Sequence, residues 1–301
     1  MIGPMMIAIA QIASLTGEIE ANLTRHLKVI EEAGAAGADL VIFPELSLTG
    51  YDVRESAADL AVSAQSSLLR QLIEVSGAID VNFGFIERGE DFRIFNSSAY
   101  AAGGVLRNVH RKTYLPTYGR FDEGRYFAAG DTVRAFDLWA DESRLAKSSG
   151  AGKLRVGSMI CEELWHPSVS WLLGQDGAQL LLVQAAASQA DKVAPGDRPA
   201  ALQLWEALAV SAAISCGAFV VVANKAGSET DFNYFGSSFV VNPDGQVTVR
   251  AGIVEPQVLL FEADFKDVAR ARTRMPLLRD ERLDLTAREL ERISRKRFSL
   301  E

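Results

Sequence analysis

One arrangement limits what this chain can fold into more than any other: an order of strands and helices that is written twice. Met6–Gln11 is a strand of small and apolar residues, and Leu23, Leu27, Ile30 and Ala33 then recur at helical spacing across Glu20–Gly37, with Asn22 the expected N-cap and Gly37 the stop. Asp39–Phe43 (DLVIF) is the next strand and ends at Pro44-Glu45. A helix over Ala57–Val75, a strand at Ile79–Ile86 and a hairpin follow, Asn96–Ala102 turning at Gly103-Gly104 into Val105–Arg111. The order then restarts: a strand at Val156–Ile160, a short helix near Val169–Gly174, a strand at Gln179–Gln184, a long helix at Ala200–Cys216 and a strand at Phe219–Asn224. Strands at Ser237–Val241, Val247–Arg250 and Val258–Ala263 close the second run. Two helices per run cannot cover both faces of a sheet. The economical solution is one helix layer on each of two sheets that pack face to face. The expected fold is therefore α/β, a four-layer α-β-β-α sandwich with an internal pseudo-repeat, forming one domain over residues 1–265.

Residues 266–301 read as a C-terminal extension. It carries Arg270, Arg272 and Arg274 and a helix near Thr286–Arg295, expected as a solvated face or packed on the domain or a partner subunit. Asp141–Lys153 reads as an exposed connection.

With 301 residues, 48% of them hydrophobic, the chain can bury a large core. A net charge of -8 argues against nucleic acid or an anionic membrane, which need clustered cations to displace counterions. Cys161 and Cys216 are the two cysteines, too few for a disulfide framework and without the spacing of a zinc site, so a cytoplasmic protein with no cofactor or metal is expected. The opening MIGPMMIAIAQ has no basic n-region, and the longest apolar runs are strand-sized. No export or membrane segment is expected, and the expected partner is a small molecule.

Three residues stand at strand ends or exits: Glu45 after DLVIFP, Lys112 after VLRNVHR and Cys161 after RVGSMI. Taken alone, Cys161 in RVGSMICEELWHP is equally the last core residue of a strand or a nucleophile held at a sheet edge. Together the three are chemically complete, since a carboxylate can take the thiol proton and an ammonium can stabilise an oxyanion. The usual histidine base is poorly supplied, because none of His26, His110 and His166 stands at a suitable strand end with an Asn or Asp to orient it. Lys112–Asp131 is too rich in aromatics, prolines and glycines for a regular element and too apolar for an idle linker, so a functional loop is expected there.

FPELSLTGYD, RKTYLPTYGRFDEGRYFAAGD and GSMICEELWHP resemble the three signature blocks of the nitrilase superfamily, the carbon–nitrogen hydrolases. They occur in that family's order, with 67 residues from Glu45 to Lys112 and 49 from Lys112 to Cys161. The resemblance extends from MIAIAQ through VVVANKAG and FGSSFVVNPDG to about Ala263. It implies an α-β-β-α sandwich of the nitrilase type, Glu45 as general base, Lys112 as catalytic lysine, Cys161 as nucleophile, Glu123 as the second glutamate that orients the lysine, and a homodimer or larger homo-oligomer. The implied chemistry is hydrolysis of a small linear amide to acid and ammonia through a cysteine thioester, with the backbone N–H of Glu162 beside Lys112 at the oxyanion. Tyr118, Trp165 and Glu162 are the expected substrate-binding residues.

CEELW and LPTYGRFDEGRYF are similar to segments of the glutamine-hydrolysing domain of glutamine-dependent NAD synthetases, although this sequence carries no SGGxDS synthetase loop. True nitrilases more often place tryptophan directly after the cysteine, where Glu162 stands here, which favours an amide over a nitrile. An N-carbamoyl amide hydrolase, a nitrilase and a glutaminase-like subunit serving a partner enzyme are the alternatives.

Overall fold

A computed structural model describes residues 4–150, 152–189 and 198–298. Its strands are, in chain order, β1 (Met5–Gln11), β2 (Leu40–Ile42), β3 (Asp80–Arg88), β4 (Ile94–Ala102), β5 (Val105–Arg111), β6 (Phe136–Trp139), β7 (Lys153–Ile160), β8 (Leu180–Ala185), β9 (Ser188–Gln189), β10 (Phe219–Asn224), β11 (Ala226–Glu229), β12 (Phe232–Phe235), β13 (Phe239–Val241), β14 (Val247–Arg250) and β15 (Gln257–Ala263). The helices are α1 (Ile19–Ala35), α2 (Ala57–Leu60), α3 (Ser67–Val75), α4 (Glu123–Tyr126), α5 (Arg144–Ser149), α6 (Pro167–Gln175), α7 (Ala200–Cys216), α8 (Lys266–Arg274), α9 (Leu277–Asp280) and α10 (Leu283–Phe298).

One six-stranded sheet runs β15-β1-β2-β3-β4-β5, a second runs β14-β13-β10-β8-β7-β6, and a small third sheet runs β11-β12-β9. In the first, β1, β2 and β3 are parallel and β4 and β5 return antiparallel, with β15 antiparallel outside β1. The second repeats this: β7, β8 and β10 are parallel, β13 and β14 return, and β6 lies antiparallel outside β7.

Strand periodicity explains the layers. Leu180 and Leu182 of β8 join Val156, Val221, Ile7, Ile9 and Ile42 in a core between the two sheets. The alternate residues Leu181 and Val183 face Leu173 of α6 and Trp205 and Ala209 of α7. On the first sheet, Val41, Val81 and Phe83 face Leu23 and Ile30 of α1 and Leu69 and Leu72 of α3. Burial on both faces is why these strands read as unbroken apolar runs rather than alternating ones. The four layers expected from the sequence are those observed.

Several local readings change. Asn22 is not an N-cap: it lies inside α1, where its amide exchanges hydrogen bonds with the backbone of Leu15 and donates to Leu48 O at 3.0 Å. The expected helix over 57–75 is split, because the Val62 N–H pairs with Ile86 O at 3.0 Å, and Ser66 then caps α3. Asp141–Lys153 is not a plain connection, since Ser143 caps α5 by accepting from Ala146 N. Arg272 is not solvated: its guanidinium donates to Cys216 O and Gly217 O at 3.2 Å each, satisfying carbonyls at the end of α7, and to Ala178 O just before β8. Arg270 and Arg274 stay exposed and pair with Asp267 and Asp244. The expected helix near Thr286–Arg295 lies within α10; the last residues of the extension fall outside the described residues. Among the described residues no helix is long and apolar enough to cross a membrane.

Candidate active site

Glu45 is placed by a tight crossing. After β2 the chain passes Phe43 and Pro44, and Leu46 takes a left-handed φ of 46° as the loop runs over Gly84 of β3. A Cβ on Gly84 would sit 2.5 Å from Leu46 N and 2.8 Å from Pro44 O, so a glycine is needed there. Ser47 fastens the loop: its Oγ accepts from Gly84 N at 3.2 Å and is 2.8 Å from His26 Nε2. Burial pushes His26 down to about 4, against the opposing contact with the Asn22 carbonyl, so this ring is a neutral support. Glu45 itself is fully buried. Its Oε1 accepts from Lys112 Nζ at 2.6 Å and Asn96 Nδ2 at 2.8 Å, and its Oε2 accepts from Ala186 N at 3.0 Å.

Lys112 leaves β5 with its N–H on Asn96 O and its carbonyl accepting from Gly130 N, both at 2.8 Å. Its ammonium is shared with Glu123, whose Oε1 accepts from Lys112 Nζ at 2.7 Å and from the Tyr51 hydroxyl at 2.6 Å. Burial works against the Lys112 charge, but Glu123 and Glu45 outweigh it and hold the amine well above its ordinary range. One ammonium cannot neutralise two carboxylates. Burial and the nearby Glu45 therefore lift the Glu123 carboxyl, while Lys112 and Tyr51 hold it back. Glu123 Oε2 is buried and has no hydrogen-bond partner.

Cys161 follows β7 at a φ of 50°, a conformation that costs a non-glycine residue energy and that turns the chain into the short helix Cys161–Trp165. The turn is pinned by Glu163, which accepts from Ile160 N at 2.6 Å, Thr113 N at 2.8 Å, Thr113 Oγ1 at 2.6 Å and His110 Nε2 at 2.8 Å. Glu163 thus ties the end of β7 to the residues on either side of Lys112. Burial, then the charge of Glu45, keep the Cys161 thiol well above its ordinary pKa, with Lys112 and the Ala186 N–H pulling the other way. The resting group is the neutral thiol.

The four residues Glu45, Lys112, Glu123 and Cys161 are thus brought together, Glu45 from the loop after β2, Lys112 and Glu123 from the connection between β5 and β6, and Cys161 from the turn after β7. Of the residues expected to bind substrate, Tyr118 is exposed and donates its hydroxyl to Glu162 Oε2 at 2.7 Å. Trp165 packs edge-on against Trp205 at 5.8 Å, on the helix layer. A cavity of about 590 Å³ is walled by Glu123, Tyr51, Phe121, Arg120 and Phe232, but not by Cys161, Tyr118 or Trp165. Arg125 faces Glu55 at 3.8 Å. His166 stacks on Tyr114 at 3.6 Å and is no part of the cluster. Sequence reasoning missed Tyr51, Asn96, Ala186 and Glu163. Tyr51 lies inside FPELSLTGYD and Glu163 inside CEELW, so both were in view without a role.

Residues 6–273 match the family described as carbon-nitrogen hydrolase. The chain is 30% identical over 262 residues to a glutamine-dependent NAD(+) synthetase of Acinetobacter baylyi, covering 86% of this chain and 44% of that protein. It spans less than half the length of the curated synthetases it matches. It is also 29% identical over 290 residues to an (R)-stereoselective amidase of Pseudomonas sp, covering 95% of each. In fold it superposes on a crystal structure of a carbon-nitrogen hydrolase from Helicobacter pylori G27 with a TM-score of 0.81, at 21% identity over 95% of this chain and 98% of that one.

Proposed function

The chain belongs to the carbon–nitrogen hydrolase family, and from that premise we propose that it cleaves a small linear amide to the acid and ammonia through a thioester on Cys161. The observation that carries this reading is the buried ammonium of Lys112, held at 2.6 Å and 2.7 Å between Glu45 and Glu123 beside a cysteine turned into the same cluster. Burying three charges is costly, and a purely structural core has no need of them.

The neutral thiol requires a base, and Glu45 is the carboxylate whose charge bears most on it. Glu45 takes the Cys161 proton as Sγ attacks the carbonyl carbon. Lys112 Nζ and the N–H of Glu162, in the first helical turn where N–H groups lack partners within the helix, stabilise the tetrahedral oxyanion. Collapse of that intermediate breaks the carbon–nitrogen bond, and the proton held on Glu45 goes to the departing nitrogen. Ammonia leaves and a thioester remains. Glu45 then takes a proton from water as the oxygen attacks the thioester carbon, and the acid is released as the thiol regains its proton. Glu123 holds Lys112 throughout.

A second reading takes glutamine as the amide. The exposed Tyr118–Glu162 pair favours it, since a carboxylate and a phenol suit the ammonium of an amino acid; the similarity to glutamine-dependent synthetases points the same way. The test is ammonia and carbon dioxide release from a panel of linear amides, glutamine, N-carbamoyl amino acids and nitriles, with Cys161→Ala alongside. Ammonia alone from amides, abolished in Cys161→Ala together with an acyl adduct seen by mass spectrometry on the wild-type chain, is the expected result. Turnover of nitriles alone, or a folded and fully active Cys161→Ala, contradicts the proposal.

A further inference from the structure

A second buried lysine–glutamate pair lies outside the reacting group. Lys225, which follows β10, and Glu229, which ends β11, meet at 2.7 Å with side chains 1% and 3% exposed. Neither lines the cavity beside Glu123. Burial pulls the Lys225 amine down, and Glu229 offsets this in part. The pair holds a piece of backbone: Glu229 Oε2 accepts from Asp52 N at 2.8 Å and Tyr51 N at 3.1 Å, and its Oε1 lies 3.2 Å from the same Tyr51 N. Glu229 also accepts the Tyr234 hydroxyl at 2.7 Å, and Lys225 Nζ lies over the Tyr234 ring at 5.2 Å. The preceding Gly50, at φ 79°, is pressed so close that a Cβ there would come 2.8 Å from Glu229 Oε1. The residue fixed in this way is Tyr51, whose hydroxyl donates to the Glu123 oxygen that also receives Lys112.

We propose that Lys225 and Glu229 are positioning residues for the amide hydrolysis: they clamp the Tyr51 backbone so that its hydroxyl holds Glu123 on Lys112. This rests on the reading of Lys112 and Glu123 given above. The route is a single chain, from Lys225 to Glu229, through the Tyr51 main chain to its phenol, and on to Glu123 and Lys112. Glu229 without Lys225 would be an unpaired buried charge, which is why both are present.

The test compares Tyr51→Phe, Glu229→Gln, their double mutant and the charge-neutral Lys225→Met/Glu229→Gln. Ammonia release is followed from pH 5 to 10, with thermal melting of each variant. Each single change is expected to lower kcat by about tenfold to a hundredfold with little change in KM. In the double mutant the losses are not expected to multiply, because both act through the one Tyr51–Glu123 bond. The acid limb of the kcat profile is expected to shift to higher pH in all four, since losing the Tyr51 donor removes a force that holds the Glu123 carboxyl down. A merely structural role would lower melting temperature without moving that limb. Multiplicative losses, or wild-type kcat and pH profile in Tyr51→Phe or in a folded Lys225→Met/Glu229→Gln, overturn the inference. Should Glu229→Gln not fold, Tyr51→Phe and the neutral pair still decide. If Cys161→Ala and Lys112→Met are inactive while Tyr51→Phe is normal, the clamp fails and the catalytic reading stands; if Lys112→Met is active, the catalytic reading itself fails.

Discussion

A single methyl group on Gly84 reaches the candidate site without touching any of its polar atoms. In Gly84→Ala the new Cβ would lie 2.5 Å from Leu46 N, 2.8 Å from Pro44 O and 3.1 Å from the Glu45 carbonyl carbon, all of them backbone. The first of these is about 1 Å inside the ~3.5 Å at which carbon begins to gain from a contact. No side chain can swing away, so the Glu45 loop or β3 must move. Overpacking of this kind costs about 1–3 kcal/mol. The larger effect is on geometry, because Glu45 binds Lys112 at 2.6 Å and Ala186 N at 3.0 Å, and a misplacement of about 1 Å at such a site costs roughly a hundredfold in rate. Steady-state ammonia release, with melting followed in parallel, should show kcat down about a hundredfold. The decrease in melting temperature should be modest. Gly34→Ala is the control: that glycine lies inside α1 with nothing within 4 Å of its Cβ position, and alanine should stabilise by about 0.5–1 kcal/mol with unchanged activity. A Gly84→Ala enzyme that turns over within threefold of wild type would refute the view that this crossing sets the position of Glu45.

Lys112→Met leaves the buried Glu45 and Glu123 facing each other, and should cost about 3–5 kcal/mol of stability by denaturant melting as well as at least a hundredfold in kcat; adding Glu123→Gln should return part of the stability and none of the activity. His26 has its folded pKa lowered from 6.5 to about 4, so its contribution to stability is fully present above pH 6.5, falls as pH drops through the interval to about 4, and is level below. His26→Gln should therefore lose about 2–3 kcal/mol less than wild type between pH 7 and 4.5 in urea titrations. An identical pH slope in the two proteins would mean that His26 is not held neutral. Asp80, raised by burial to about 6 despite bonds from Ser143, Tyr100 and the Arg144 N–H, acts with the opposite sign. Its destabilising effect grows as pH rises from 3.8 to about 6, and Asp80→Asn should flatten that part of the stability curve.

What could be read from the sequence follows from what is local. Strands β8 and β10 are apolar on both faces, so they announced themselves, and so did α7, whose bounds Ala200–Cys216 are as expected. The strand β6 is four residues at a sheet edge, two of them half-buried, and gives no such run. The break between α2 and α3 depends on Val62 meeting Ile86 from a distant strand, a pairing that helical periodicity cannot reveal. The β11–β12 hairpin is polar along much of its length and reads as a loop, yet it carries Glu229 and the Tyr234 ring. At the site, Glu45, Lys112 and Cys161 were legible as chemistry-bearing residues at strand ends. Glu163 was not, because its importance lies in four donors that converge on it from two strand ends, and only the fold brings these together.

The pseudo-repeat explains why the cluster forms at one end of the sandwich and needs both halves. Glu45 lies just beyond β2 and Ala186 just beyond β8, the corresponding strand of the other half, and the Ala186 N–H closes on Glu45 Oε2 at 3.0 Å. The corresponding ends of β1 and β7 also reach across. Gln11, the last residue of β1, accepts from Ser238 N at 2.8 Å in the second half. Cys161, the first residue beyond β7, faces the carboxylates of the first half, whose charges act on its thiol. Glu45, Lys112 and Glu123 alone would form a buried group with one uncompensated negative charge. The second half supplies an N–H donor to one of those carboxylates, and the core between the sheets holds the two halves in register. The sandwich is thus what makes such a concentration of charge tolerable beside a buried thiol.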